Sequence, residues 1–145
     1  MSSLFNKEQQ ARISKAVKDA ELQTSGEVRI YIEDSCPEEV LDRGAFLFEK
    51  MGIHKTALRN GVLFYLATKD RKFAILGDAG INAKVPSDFW NKIKEEMAQR
   101  FKDHEFTEGL CLGIQMAGEA LKKYFPYSSG DKNELSDEIV FGGNR

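Results

Sequence analysis

The feature that most constrains this chain is the uninterrupted apolar run Val62-Leu63-Phe64-Tyr65-Leu66-Ala67. It is too short for a helix of ordinary length. Rich in aromatic and branched side chains, it reads as a strand covered on both faces, as at the centre of a sheet between helices. A polar turn, Lys69-Asp70-Arg71-Lys72, separates it from a second run, Phe73 to Leu76. The stretch Arg59–Ile81 is therefore expected to be a β-hairpin, bracketed by Arg59-Asn60-Gly61 before it and Gly77-Asp78-Ala79-Gly80 after it.

A chain of 145 residues fits one domain, long enough to bury roughly 68–70% of its unfolded surface without staples. The net charge of -2, with acids interleaved among bases as in Lys94-Glu95-Glu96, argues against nucleic-acid binding by counterion release. No secretory signal and no membrane-length apolar run is visible, so a soluble, cytoplasmic protein is expected. Cys36 and Cys111 form no CxxC pair, and His54 and His104 lie far apart, which leaves no zinc spacing. Both cysteines read as buried or half-buried free thiols.

Asn6 with Gln9 forms a capping box for a helix over Lys7–Leu22, with Ile13, Val17 and Ala20 on one face. Residues Glu27–Glu33 alternate: Val28, Ile30 and Ile32 on one side, Arg29 and Tyr31 on a partly polar other. Ser35, Pro37 and Glu38 look like the start of a helix that runs to Met51 and buries Leu41, Ala45, Phe46 and Phe48. Strand, helix, strand is a βαβ unit, so Glu27–Glu33 and Val62–Ala67 should run parallel through a right-handed crossover. Phe73–Leu76 then returns antiparallel.

A helix capped by Ser87 follows, with Trp90, Ile93, Met97 and Phe101 as its stripe. A last helix spans Glu108–Phe125. Its Gly109 and Gly113, spaced by four, predict a close-packed neighbour. The expected architecture is a three-layer α/β/α sandwich whose mixed sheet is flanked by about four helices. Residues 1–126 form the domain and 127–145 a disordered tail. Within that tail Ile139-Val140-Phe141 is a candidate for docking on the domain or on a partner.

This topology gathers polar residues at both ends of the sheet. At the carboxyl end of the parallel strands lie Asp34, Ser35 and the Asp70-Arg71-Lys72 turn, joined by Asp103, His104, Glu105 and Glu108 if the helix capped by Ser87 runs back along the sheet. At the other end lie Ser25, Glu27, Arg59, Asn60 and Asp78. Both groups are hard oxygen donors suited to Ca²⁺ or Mg²⁺. Glu27, Asn60 and Asp78 are the first candidate metal set, with room left by Gly61, Gly77 and Gly80, and Asp34 with Asp70 is the second. Solvated strand ends and turn chemistry are the plain alternative for each. Asp70 beside Arg71 and Lys72 is the candidate for catalysis, and a Cys36–His104 dyad is a further arrangement the topology allows.

Ser25-Gly26-Glu27 leading into a strand, then Asn60-Gly61-Val62-Leu63, Asp70-Arg71-Lys72, a Gly-rich turn and Gly109-Leu110 together resemble the TPM domain family over Lys7–Phe125. The resemblance implies a mixed sheet between helices. It also implies links to acid phosphatase activity, divalent-cation binding and the assembly or repair of membrane protein complexes. Many such relatives carry a signal peptide and a membrane anchor, which are not seen in this sequence. Asp78-Ala79 stands where relatives often have an aromatic residue. The function expected is a soluble binding or assembly module holding a divalent cation, calcium before magnesium. The alternatives are a metal-assisted phosphomonoesterase and a metal-free adaptor for another protein.

Overall fold

A computed structural model describes residues 5–127 and 139–143. Helix α1 (Lys7–Glu21) begins at the expected capping box, with the Gln9 N–H donating to Asn6 Oδ1 and the Asn6 N–H to Gln9 Oε1, both at 2.8 Å. Strand β1 (Glu27–Glu33), helix α2 (Val40–Lys50) and strand β2 (Gly61–Ala67) form the βαβ unit, with β1 and β2 parallel from Glu27 opposite Gly61 to Glu33 opposite Ala67. Strand β3 (Lys72–Gly77) returns antiparallel to β2. A four-residue helix α3 (Ala79–Asn82), helix α4 (Phe89–Lys102) and helix α5 (Phe106–Tyr124) follow. Strand β4 (Ile139–Phe141) adds to the outer edge of β1, giving the order β3-β2-β1-β4.

The sheet separates two apolar layers, as a strand buried on both faces requires. On one side Val28, Ile30, Ile32, Val62, Phe64 and Leu66 meet the buried faces of α1, α4 and α5. On the other, Leu63, Tyr65 and Ala67 meet Cys36, Leu47 and Ile53. Every residue of β2 is buried, as its unbroken apolar run predicts. No helix among the described residues is long and apolar enough to cross a membrane.

Four expectations are corrected. Helix α2 starts at Val40, capped by Glu39, whose Oε2 accepts from the Leu41 and Asp42 N–H groups. Ser35 is not the cap, because the next residue is tied to the sheet end: the Cys36 N–H donates to Asp70 Oδ2 at 2.7 Å, and Lys72 Nζ donates to the Cys36 carbonyl. In this helix Gly44 and Leu47 face the sheet, while Leu41, Ala45 and Phe46 are exposed. Secondly, the face of β1 expected to be partly polar is dry, with Arg29 only 1% exposed.

Thirdly, α4 begins at Phe89 behind Asp88 rather than after Ser87, and α5 begins two residues before Glu108. Fourthly, part of the segment expected to be disordered is strand. Ile139 and Phe141 pack against the larger core, and the Gly142 N–H donates to the Ile32 carbonyl. The rest of that expectation, over 128–138 and 144–145, lies outside the described residues.

The close neighbour predicted by Gly109 and Gly113 is α4. A Cβ at Gly113 would lie 2.4 Å from Met97 Sδ and 3.0 Å from the Phe64 ring, and one at Gly109 would lie 2.7 Å from Phe101. Replacing glycine by alanine inside a helix normally gains about 1 kcal/mol. Here Gly113→Ala should instead lower stability, by about 1–3 kcal/mol, because the added methyl overpacks a buried contact. Urea unfolding followed by circular dichroism reads the sign directly.

Candidate functional site

The two ends of the sheet have different chemistry. At the amino end of the parallel pair, the expected residues do converge. Asn60 Nδ2 donates to Ser25 Oγ at 3.2 Å, the Glu27 N–H to the Asn60 carbonyl at 3.4 Å, and the Asp78 N–H to the Gly61 carbonyl at 3.0 Å. Their charges are largely engaged within the protein. Arg59 holds Asp78 through two parallel bonds of 2.8 Å, from Nε to Oδ2 and from Nη2 to Oδ1. Asp78 Oδ1 also caps α3 through the Ala79 N–H.

Glu27 is 2% exposed, with Oε1 3.9 Å from the Arg29 guanidinium. The room expected at the glycines is filled. A Cβ at Gly80 would lie 2.1 Å from the Leu58 carbonyl oxygen, one at Gly61 2.5 Å from Ile53, and one at Gly77 2.4 Å from Trp90. These glycines serve close backbone and side-chain approach.

Between the ends, β1 carries charge through the dry layer under α2. Arg29 Nη1 donates to Glu21 Oε2 at 2.9 Å, and that same oxygen accepts the Val28 N–H, which lies on the β1 edge beyond the reach of β4. Glu33, 1% exposed, takes a two-bond pair from Arg43 of α2, Nε to Oε2 at 2.9 Å and Nη2 to Oε1 at 3.0 Å. It also accepts the Tyr65 hydroxyl proton. Burial first, and then this hydrogen bond, push the Tyr65 phenol far above its ordinary range, so it remains a donor.

The carboxyl end is more open. Asp34 and the hairpin turn are drawn together through the main chain: the Lys69 and Asp70 N–H groups both reach the Asp34 carbonyl, at 2.8 and 3.4 Å. The Asp34 carboxylate has Lys69 Nζ at 3.9 Å, and Asp70 uses one oxygen on the Cys36 N–H. Neither carboxylate meets an arginine among the described residues.

On the α4/α5 side of this end, a cavity of about 370 Å³ opens between the β2–β3 turn and the α4–α5 turn. Arg71, Lys102 and His104 line it, with Phe73, Phe101 and Phe106 as apolar walls. Asp70 is not among the lining residues, so Asp70 and Arg71 serve opposite sides of the turn. The topology thus brings His104 to Arg71 as expected. Glu108, expected nearby, instead pairs with Arg12 on the α1 side at 2.9 Å. Cys36 sits in the α2-side cluster, across the sheet from His104, and its thiol meets the Glu38 carbonyl at 3.5 Å, which removes the dyad. Sequence reasoning missed Lys102 and the three phenylalanines. Phe73 reads as hairpin strand and Phe101 as helix stripe, while Lys102 and Phe106 fall between the two expected helices and carry no signal.

Arg43→Met should destabilise the fold by about 3–5 kcal/mol in urea unfolding, since it leaves the Glu33 carboxylate buried without its guanidinium. Adding Glu33→Gln to that variant should recover part of the loss, because the remaining group is neutral.

Comparison with known proteins places the chain. Residues 1–120 match the family model described as TPM domain. The structure is similar to the NMR structure of the BA42 protein from the psychrophilic bacterium Bizionia argentinensis, with a TM-score of 0.90 and 39% identity over 98% of each chain. It is also similar to the N-terminal domain of a protein from P. gingivalis, with a TM-score of 0.69 and 17% identity over 85% of this chain and 80% of that one. For the N-terminal domain of the cg2496 protein from Corynebacterium glutamicum the values are 0.67 and 10%, over 92% and 83%. At those identities the last two show a shared fold alone. No curated protein sequence matches significantly. The chain belongs to the TPM domain family.

Proposed function

We propose that this TPM domain is a binding module that takes a divalent cation at the carboxyl end of β1 and β2, through Asp34 and Asp70. The observation that carries the proposal is the contrast between the two ends. Glu27 and Asp78 face arginines, and their surrounding glycines are filled. Asp34 and Asp70 are held beside one another by main-chain bonds, with neither carboxylate neutralised by a guanidinium among the described residues. The position also agrees with the rule that open α/β sheets take ligands beyond the carboxyl ends of their parallel strands.

No group of three His, Cys, Asp or Glu side chains is placed to hold a metal among the described residues. A cation at Asp34 and Asp70 would therefore complete its shell with main-chain carbonyls and water. That favours Ca²⁺, which accepts six to eight oxygens in flexible geometry, over Mg²⁺, and it implies weak affinity. The phosphomonoesterase reading gains less from the geometry. Asp70 has one oxygen on the Cys36 N–H and Lys72 donates to the Cys36 carbonyl, so the acid and the base flanking Arg71 are both committed to the α2 side.

Titrating Ca²⁺ into labelled protein should move amide signals at Asp34–Cys36 and Lys69–Arg71, and raise the melting temperature by linkage, about 2.7 kcal/mol at a hundred times Kd. Asp34→Asn with Asp70→Asn should abolish both effects. Shifts centred on Glu27 and Asp78 would transfer the site to the other end, and no shift at millimolar Ca²⁺ would end the proposal.

A further inference from the structure

We infer that the cavity between the β2–β3 and α4–α5 turns binds a small organic anion: an oxyanion group carried on an apolar, ring-sized body. This site is separate from the proposed cation site, since neither Asp34 nor Asp70 lines the cavity and the Asp70 carboxylate is held on the α2 side, and neither reading depends on the other.

The lining gives the chemistry. Phe73, Phe101 and Phe106 form a contiguous aromatic wall, with Phe73 and Phe101 edge to face at a centroid distance of 4.9 Å and Phe101 and Phe106 at 5.6 Å. Leu66 and Ala98 extend the apolar surface. Arg71, Lys102 and His104 also line the cavity, while no acidic residue does. The ammonium of Lys72, the remaining cationic lining residue, is directed to the Cys36 carbonyl. A volume of about 370 Å³ falls within the roughly 300–1,000 Å³ of small-molecule sites, and a mostly apolar wall with a few convergent polar groups is their usual composition.

Backbone conformation supplies an independent observation. Arg71 and His104 are both left-handed, with φ of 55° and 62°. At His104 the reason is a Schellman turn closing α4: the Glu105 N–H donates to the Arg100 carbonyl at 2.8 Å, and the His104 N–H to the Phe101 carbonyl at 3.0 Å. The residue at that position of the turn is ordinarily glycine. Arg71 is the corresponding left-handed residue at the end of the hairpin turn. Two positions where glycine would be the relaxed choice thus carry an arginine and a histidine, on separate turns that face one cavity. The third left-handed non-glycine residue among those described, Arg59 (φ 52°), holds Asp78 within the protein. Arg71 and His104 make no such ion pair among the described residues, and strain of this kind gathers at ligand sites.

The test uses the full chain, labelled with ¹⁵N, in buffer containing a chelator so that no divalent cation contributes. The probes are naphthalene-2-carboxylate, naphthalene-2-phosphonate and, as a neutral control, naphthalene-2-methanol. The anions should shift amide signals at Arg71, Phe73 and 101–106, and should bind at least about tenfold more tightly than the alcohol, a factor equivalent to 1.4 kcal/mol. The better of the two anions identifies the oxyanion preferred.

Arg71→Gly and His104→Gly relieve the left-handed conformations. Each should melt no lower than the parent and yet bind the preferred anion about tenfold more weakly. That combination separates ligand binding from a structural role, for which binding and melting temperature would fall together. No localised shift at millimolar probe, equal binding of the neutral control, or full binding by both glycine variants would each overturn the inference.

Discussion

Strand β1 runs through the middle of the sheet with both faces covered, yet it carries Arg29 and Glu33 on the face toward α2. Charges in a dry layer must be met there or the fold is lost. Glu21 meets Arg29 from the end of α1, and Arg43 meets Glu33 from the second turn of α2. The two ion pairs therefore fix one helix on each side of the sheet against the same strand. They also guard its register. A one-residue slip of β1 would exchange its two faces, moving Arg29 and Glu33 into the larger apolar layer and Val28, Ile30 and Ile32 out of it.

The same internal pairing explains why the sheet has one closed end and one open end. At the amino end, Arg29 and Arg59 face the carboxylates of Glu27 and Asp78, and the chain closes over its glycines. At the carboxyl end, main-chain bonds to the Asp34 carbonyl and the Asp70 and Lys72 contacts with Cys36 fasten the turn, and neither Asp34 nor Asp70 meets an arginine among the described residues. The Asp70 carboxylate is held on the α2 side, and cations beside aromatic rings line the α4/α5 side. One turn, Lys69 to Lys72, separates the two chemistries.

Much of this fold was legible in the sequence because the signals were local. The alternation of Glu27–Glu33, the apolar run of β2 and the Asn6–Gln9 capping box each decide a few adjacent residues, and each appears where expected. The start of α2 was misread because Ser35-Cys36-Pro37-Glu38 satisfies a local rule that a distant partner overrides: Asp70 takes the Cys36 N–H. Leu41, Ala45 and Phe46, expected in the core, lie at the surface of the same helix, since its buried face is set by Gly44 and Leu47. The cavity was legible only in part: the expected topology brings His104 to the Arg71 turn, but neither Lys102 nor the aromatic walls. Arg71 and His104 meet only when the hairpin and the α4–α5 turn are placed side by side, and a left-handed arginine or histidine has no signature in the residue itself.

Strand β4 pairs with the first strand of the chain after every other element has been laid down. Until it arrives, β1 presents the main-chain groups of Ile30–Ile32 along an open edge, and an open edge is a template for any extended segment nearby. The fold is thus finished by its most distant contact. A nascent or clipped chain that has formed both apolar layers would still expose a strip of unpaired backbone, so the hazard for this protein lies less in failing to collapse than in being capped by the wrong strand.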